Sequence, residues 1–403
     1  MWRNRGLAVL ACILTVLIVA YPDISFQASL DGLKLWFEVV LPALLPFFIM
    51  AELLMGLGVV HFLGSLLEPI MRPLFRVPGA GGFALAMGLA GGFPLGAKVT
   101  GDLARAKLIT STEGERLIGF TNTANSLFLA GAVAVGMFGR PELGVTLIAA
   151  HYLGAILVGL CMRLHRGPES PPAKSQEAYL HRALRALDQA RKSDGRPLGK
   201  LFGDTAKNSF SAMLFIGGCI MFFSVIVQVI SATGLLNPVR AGLSLILGFV
   251  GLDPSLSSAV LHGFFETTLG AQLASGTAAP LAAQVTAASL VLGWSGLSVH
   301  GQVAAMVSGT KIRLTPYIHA RVLHAAFAAI ISALLLGPAK FIPASLVKVL
   351  PALGSGQYLD GSFGARFLAS ARLATSFLLI LVIILSTIWL LKRIVYISLR
   401  SRD

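Results

Sequence analysis

Two short stretches far apart in the chain carry the residues best suited to holding a small ligand. They are Gly91-Gly92-Phe93-Pro94-Leu95-Gly96-Ala97-Lys98 and Gly263-Phe264-Phe265-Glu266-Thr267-Thr268-Leu269-Gly270-Ala271-Gln272. Each ends an apolar run, broken by Gly, Pro or Thr, in Leu-Gly-Ala followed by a long polar side chain. A polar interruption follows each one. After the first comes Thr121-Asn122-Thr123-Ala124-Asn125-Ser126, and after the second Gly293-Trp294-Ser295-Gly296-Leu297-Ser298-Val299-His300 with Gln302.

A helix broken inside a membrane leaves bare N–H groups at one end, which attract anions, and bare C=O groups at the other, which attract cations. Glycine and proline over 91–96 permit such a break and let the backbone approach a ligand closely. Gly92, Phe93, Pro94, Gly96 and Lys98 are therefore candidate substrate-binding residues. So are Asn122, Asn125 and Ser126, because polar side chains at that density in an apolar segment are expensive unless they line a cavity or pair. Thr121 and Thr123 are candidates for a coupling cation. In the second half the candidates are Glu266, Thr267, Thr268, Trp294, Ser295, Ser298, His300 and Gln302. Trp294 could stack on a flat ligand, and His300 carries a titratable imidazole. Glu266 is expected to bind a cation, carry a coupling proton or pair with Lys98. Packing is the competing role for the Thr-Asn-Ser stretch. Lys98 fits equally well as a charge at the membrane boundary. His151 and His324 read as hydrogen bonds between helices.

The spacing of these features implies an internal repeat. Gly96 and Gly270 lie 174 positions apart, and His151 and His324 lie 173 apart. Paired, broken hydrophobic segments in two halves of a membrane protein point to a transporter's binding site.

The elements that must position these residues are helices in a bilayer. The chain has 403 residues, of which 55% are hydrophobic and 12% charged, and its mean hydropathy is +0.79. That is too little polar surface for a water-soluble fold. A span needs about 20 apolar residues. That rule gives an all-α polytopic membrane protein with eight spans, at 7–21, 33–57, 114–138, 141–164, 210–233, 283–307, 315–337 and 373–391. Two re-entrant hairpins are added over 81–108 and 256–280. Amphipathic stretches over 62–77 and 235–250 precede the hairpins, and the first suits a membrane interface. The division expected is an N-terminal span (1–32), a first repeat (33–164), a linker (165–207), a second repeat (208–337), and a loop with a final span (338–403). The linker reads as a hinge with a solvated helix in its middle.

The net charge of +14 sits in loops between apolar runs, which argues for topology and against nucleic acid. Residues 163–207 carry ten Lys or Arg against five Asp or Glu. With Arg3 and Arg5 inside, every strongly basic loop falls on the same face. Both termini are then cytoplasmic, and the hairpins enter from opposite faces, as an inverted repeat. The three cysteines, Cys12, Cys161 and Cys219, lie in apolar stretches and read as packing residues. The sequence has no phosphate-binding loop, dinucleotide fingerprint or zinc spacing, so neither cofactor nor metal is expected. It also lacks a nucleophile elbow, and His300 is only two residues from Ser298, a spacing that does not face on a regular helix. No enzyme is expected.

At these same residues the chain resembles a known family. Gly92–Lys98, Thr121–Ser126, Gly263–Glu266 with Leu269-Gly270, and Trp294–His300 with Gln302-Val303 resemble the sporulation integral membrane proteins of the YlbJ type. Those proteins belong to the nucleoside-recognition, or Gate-domain, superfamily. The likeness covers roughly residues 30–337, and Trp-Ser-Gly-Leu-Ser-x-His is its most specific part. The superfamily is similar to concentrative nucleoside transporters, in which two opposed hairpins and two unwound helices surround the substrate. The sporulation branch, also called stage V sporulation protein V, is implicated in moving dipicolinic acid into the spore.

The resemblance implies alternating-access transport of a small organic anion, with dipicolinate the named candidate, in the cell membrane or in a spore membrane of a sporulating host. A coupling proton or sodium ion and the lipid bilayer are the other partners expected, and self-association into a homo-oligomer is compatible with the sequence. Two alternatives stand beside this reading. One is a cation-coupled nucleoside transporter, and the other is a non-transporting membrane subunit that binds a partner protein.

Overall fold

The computed structural model describes residues 2–166, 179–249 and 251–336. The expected loop over 338–372, the span over 373–391 and the proline-rich start of the linker lie outside the described residues. Among the described residues every regular element is helical, and the chain is a polytopic membrane protein. Large apolar side chains stand exposed along its helices: Val9, Val16 and Val19 near the N-terminus, Leu214 and Phe222 in the middle, and Val322 and Ile330 near the end of the described chain. Surfaces of that kind are covered by lipid rather than water.

Proline and glycine divide the apolar runs. Helix α1 (Trp2–Ala20) meets α2 (Pro22–Leu35) at a bend of 100°. Pro22 opens α2, where its missing N–H costs nothing. The chain runs on through a π-helical turn at Trp36–Val40 into α3 (Leu41–Gly56). The helix expected over 33–57 is thus the end of a longer rod beginning at Pro22. At Gly58, whose φ of +83° suits only glycine well, the chain turns through 85° into α4 (Val59–Phe75). This is the expected amphipathic helix, and it buries Val60, Met71 and Phe75.

The first hairpin is α5 (Ala80–Gly91) packed on α6 (Leu95–Arg105). Helix α7 (Ser111–Thr121) starts at a capping box between Thr110 and Glu113. It stops at Asn122, and residues 122–125 are non-helical before a π-helical segment, Phe128–Met137. The span expected over 114–138, with its polar interruption at 121–126, is two short pieces around a break at that place. Helix α8 (Leu143–Met162) completes this series.

The elements then recur in the same order. A long helix, α10 (Leu198–Ala232), leads to a second amphipathic helix, α11 (Asn237–Phe249). A second hairpin follows, α12 (Ser257–Phe265) and α13 (Thr267–Ser275). Next comes a second broken helix, α14 (Leu281–Trp294) and α15 (Gly296–Met306), and then α16 (Leu314–Leu336). Helix α16 packs against both α14 and α8 at small residues. A Cβ on Gly293 would lie 2.7 Å from the Cα of Ala325, and one on Gly154 would lie 3.0 Å from the His324 ring. Such close backbone contact is how helices associate without a hydrophobic drive.

Among the described residues four helical stretches, with α14 and α15 taken together as one, are long and apolar enough to cross a membrane, or up to six when each bent pair counts as one. The eight read from sequence exceed this because one is broken at 122–125 and one lies outside the described residues.

From Tyr179 onward the linker is helical and packed. Its helix α9 (Tyr179–Asp194) lies against α4, with Ala183 fully buried and Arg182 Nη2 donating to Ser65 O at 3.4 Å. Residues 198–207 are already the first turns of α10, and they bury Leu201 and Thr205. Between the two helices Arg196 donates to Asp194 (Nη2 to Oδ2, 2.7 Å) and to Asp204 (Nη1 to Oδ2, 3.1 Å). These hydrogen bonds hold the Asp194 carboxyl below the ordinary carboxylate range. A carboxyl shifted down on folding contributes stability that is complete above its unfolded pKa and is lost as pH falls toward the folded value. Hydrogen exchange at residues 195–200, corrected for intrinsic rate, should be constant from about pH 8 to about pH 5 and accelerate below about pH 4. Asp194→Asn should raise it throughout that range.

Candidate functional site

Each hairpin tip is pressed against the helix break of its own half by glycine. A Cβ on Gly88 or Gly96 would stand 1.9 or 2.0 Å from the carbonyl oxygen of Thr121. Gly92, at φ +82°, brings the tip against Asn125, whose Nδ2 donates to Gly91 O at 3.1 Å. Thr123 Oγ1 donates to Gly88 O at 3.0 Å. On the other side Gly296, at φ +73°, sits so close to the second tip that a Cβ would lie 2.9 Å from Thr267 N. Ser295, at φ +71°, makes the break itself, a left-handed conformation uncommon for serine.

The two tips and the two breaks meet around one cavity of about 470 Å³. Gly92 and Phe93 come from the first tip and Asn125 from the first break. The second tip gives Glu266, Thr267 and Thr268, and α15 gives Ser298, Val299 and Gln302. The remaining wall is mostly apolar, from Leu127, Phe128, Ile216 and Ile220 among others. Ser298 Oγ is buried and has no hydrogen-bond partner among the described residues. A hydroxyl left in that state at a cavity wall is free for a ligand.

Eight of the expected site residues thus share the cavity. The others lie outside it, most of them with at least one polar atom already engaged. Lys98 is bound to Glu52 Oε1 at 2.6 Å and Asp102 Oδ2 at 2.9 Å, in a separate cavity nearer the basic loops. It does not pair with Glu266. Asn122 Nδ2 donates to the Tyr317 hydroxyl at 2.9 Å. Thr121 Oγ1 donates to Leu117 O at 2.8 Å, so it and Thr123 spend their hydroxyl protons on backbone. Trp294 stacks on Phe264 with centroids 5.5 Å apart, has His300 at 4.4 Å and donates from Nε1 to Phe264 O. That leaves it no open face for a flat ligand. His300 Nδ1 donates to Gly296 O at 2.7 Å. Pro94, Gly96 and Ser295 shape the tip and the breaks without lining the cavity, and Ser126 is exposed. His151 and His324 do join helices: His324 Nε2 donates to His151 O at 2.7 Å, and His151 Nε2 accepts from Ala124 N at 2.9 Å.

Two charged groups close helix ends here, one at the second tip and one at the first break. Glu266 is buried and caps α13, its Oε2 accepting from Leu269 N at 2.8 Å. A carboxylate at a helix N-terminus is stabilised by the helix dipole. Arg321, fully buried, does the opposite at the carbonyl end of α7. Its Nη2 donates to Gly119 O at 2.8 Å and its Nη1 to Asn122 O at 2.9 Å. Its guanidinium carbon lies 5.6 Å from the Tyr317 ring centroid. The carbonyl end of this break therefore already holds a cation of the chain's own.

Sequence reasoning passed over Arg321 and Tyr317 as part of an apolar span. A lone arginine in a membrane segment was the available signal. It also missed Glu38, on the π-helical turn, which lines the cavity. That turn is held by Trp36 Nε1 donating to Met213 O at 2.9 Å. No simple sequence signal announces a π-turn.

Arg321→Met should strand two buried carbonyls at about 1–3 kcal/mol each and lower the melting temperature of the detergent-purified protein by several degrees. Arg321→Lys, which can still reach one carbonyl, should fall between. A melting temperature unchanged in both variants would contradict this account of the break.

Comparison with known proteins fits this architecture. The Gate family, described as nucleoside recognition, matches residues 37–175, from the π-helical turn through the first hairpin, the first break and α8. The sporulation integral membrane protein YlbJ of Bacillus subtilis (strain 168) is 45% identical over 329 residues, covering 81% of each chain. No solved structure matches. With that identity over most of both chains, this polytopic membrane protein belongs to the YlbJ family.

Proposed function

We propose that the protein carries a small organic solute across a membrane by alternating access, holding it in the cavity between the two hairpin tips. The observation that carries this reading is the cavity itself. Its 470 Å³ is enough for a small ligand. Its walls are supplied by both halves, and its polar groups are the amides Asn125 and Gln302, the hydroxyls Thr267, Thr268 and Ser298, and the carboxyls Glu38 and Glu266. Movement of one half against the other would then open the site to one face at a time. The placement of basic loops supports an inverted arrangement with both termini cytoplasmic. The relative's name adds sporulation as the process served.

The charge of the lining bears on the solute. The residues lining the cavity include two carboxyls and no Lys, Arg or His. A dianion such as dipicolinate would meet like charge, so it is carried with protons, one of them on Glu266. The amides and hydroxyls favour a second solute class, a nucleoside, whose hydroxyls and base edge need no counter-charge. For that solute Glu266 would accept from a ribose hydroxyl.

Proteoliposome uptake of labelled dipicolinate and uridine, with and without a pH gradient, separates the two. Proton-linked carriage predicts dipicolinate uptake that rises severalfold with an acid exterior. The nucleoside reading predicts uridine uptake that dipicolinate does not inhibit. Glu266→Gln retains the cap oxygen for Leu269 N and should still fold, yet lose at least about tenfold of uptake, the equivalent of about 1.4 kcal/mol. Wild-type rates in both Glu266→Gln and Gln302→Leu would remove this cavity as the transport site.

A further inference from the structure

A second cavity, of about 650 Å³, lies toward the basic loops and has a different character. It is walled by ions in pairs: Lys98 with Glu52 and Asp102, Arg105 with Asp102, and Arg196 with Asp194. Its position follows from the elements it shares with the first. Four segments wall both cavities: α3, the first hairpin, α10 and α15.

Along α3 the first cavity takes Pro42 and Leu44, and the second takes Glu52, Met55 and Gly56. Along the hairpin, Phe93 faces the first and Lys98 and Asp102 the second. Along α10, Ile216 faces the first and Ser211 and Asn208 the second. Along α15, Gln302 faces the first and Ala305 and Met306 the second. At about 1.5 Å per residue these steps separate the cavities by roughly 5–12 Å along the helix axes. The order along α10 is reversed relative to the other three, as it must be for a helix running the other way between the same two levels.

We propose that the second cavity is the next chamber of the same path. It is a polar binding site for the solute on the side of the basic loops, and the Glu52–Lys98–Asp102 cluster is the partition between the chambers. This rests on the transport reading above and adds the route by which the solute leaves the tip cavity. The chemistry suits a partition. Lys98 reaches from the hairpin to α3, so it bridges two elements that must part for the path to open. Its side chain and those of Glu52 and Asp102 are 13%, 12% and 19% exposed, so the cluster is dry enough to hold and wet enough to break. Beyond it the solute meets charged side chains already paired with one another, which hydrate it without trapping it. Asp194 at the end of α9 and Arg196 also line this chamber, which puts the linker beside the path.

Thiol labelling tests the route without depending on the solute. In a variant with Cys12, Cys161 and Cys219 replaced by alanine, a single cysteine is placed in either chamber by Gln302→Cys or Asn208→Cys. A charged, membrane-impermeant methanethiosulfonate is then applied to vesicles with the basic-loop face outward. Asn208→Cys should label quickly whether or not Lys98 is intact. Gln302→Cys should label slowly with Lys98 intact and at least about tenfold faster with Lys98→Met. The double exchange Lys98→Glu with Glu52→Lys, which restores the bridge reversed, should return it to slow labelling. The melting temperature and a monodisperse size-exclusion profile in each background report whether the protein is folded. Where Lys98→Met proves unfolded, Glu52→Gln takes its place.

Equal rates at Gln302→Cys with and without the bridge would overturn the partition. Labelling of Gln302→Cys only from the opposite face would overturn the route. Absence of uptake for every solute, with this labelling pattern intact, would count against transport alone.

Discussion

A helix cannot stop inside a membrane without leaving peptide groups bare, and that constraint governs this structure. Helices end within this molecule at two tips and two breaks, and at one tip and one break a charge of the chain's own meets the exposed groups. Arg321 takes the carbonyls of Gly119 and Asn122 at the end of α7, and Glu266 takes the amide of Leu269 at the start of α13. Each is buried, and each would be costly anywhere else in the interior. The sign in both cases is the one the helix dipole asks for. Once these ends are closed, the hairpin tips can be brought to within a glycine's thickness of the breaks. A cavity with an organised polar wall is what remains between them.

The positions of the breaks and tips were legible in the sequence because there glycine or proline coincides with clustered polar residues inside an apolar run. Gly92–Pro94, Asn125, Glu266, Ser295 and Ser298 all follow from that logic. Which polar groups face a ligand was far less legible. Asn122 and Asn125 are three residues apart and chemically the same, yet one is spent on Tyr317 and the other lines the cavity. The difference is made by α16, nearly 200 residues away, and local patterning carries no record of it. Lys98 is a similar case. Its spacing from Gly96 matched Gln272 from Gly270, but Glu52 on α3 claims its charge. Trp294 looked available because stacking partners cannot be read from a one-dimensional pattern, and Phe264 lies thirty residues earlier.

The linker is a subtler case. Its charge and proline content suggested a tether, and its composition is indeed unlike the rest of the chain. Tertiary context overrides that impression: α9 has an apolar stripe through Ala183, Leu187 and Ala190, and the turn at Gly58 lies against its end. A Cβ at Gly58 would stand 2.7 Å from Leu187 O, so the backbone of the linker helix lies directly on that turn. The segment joining the two series of helices is thereby packed on the first of them.

The partners of Arg321 have a consequence for how the molecule comes into being. The carbonyls of Asn122 and Gly119 are 199 and 202 residues upstream of the side chain that satisfies them. During synthesis, α7 and its break are made long before α16 exists. Until Arg321 arrives, those carbonyls must be met by water or by neighbouring headgroups, so the first half cannot settle into its final depth alone. The first helix break is thus completed last, and the maturation of the first half waits on the end of the second.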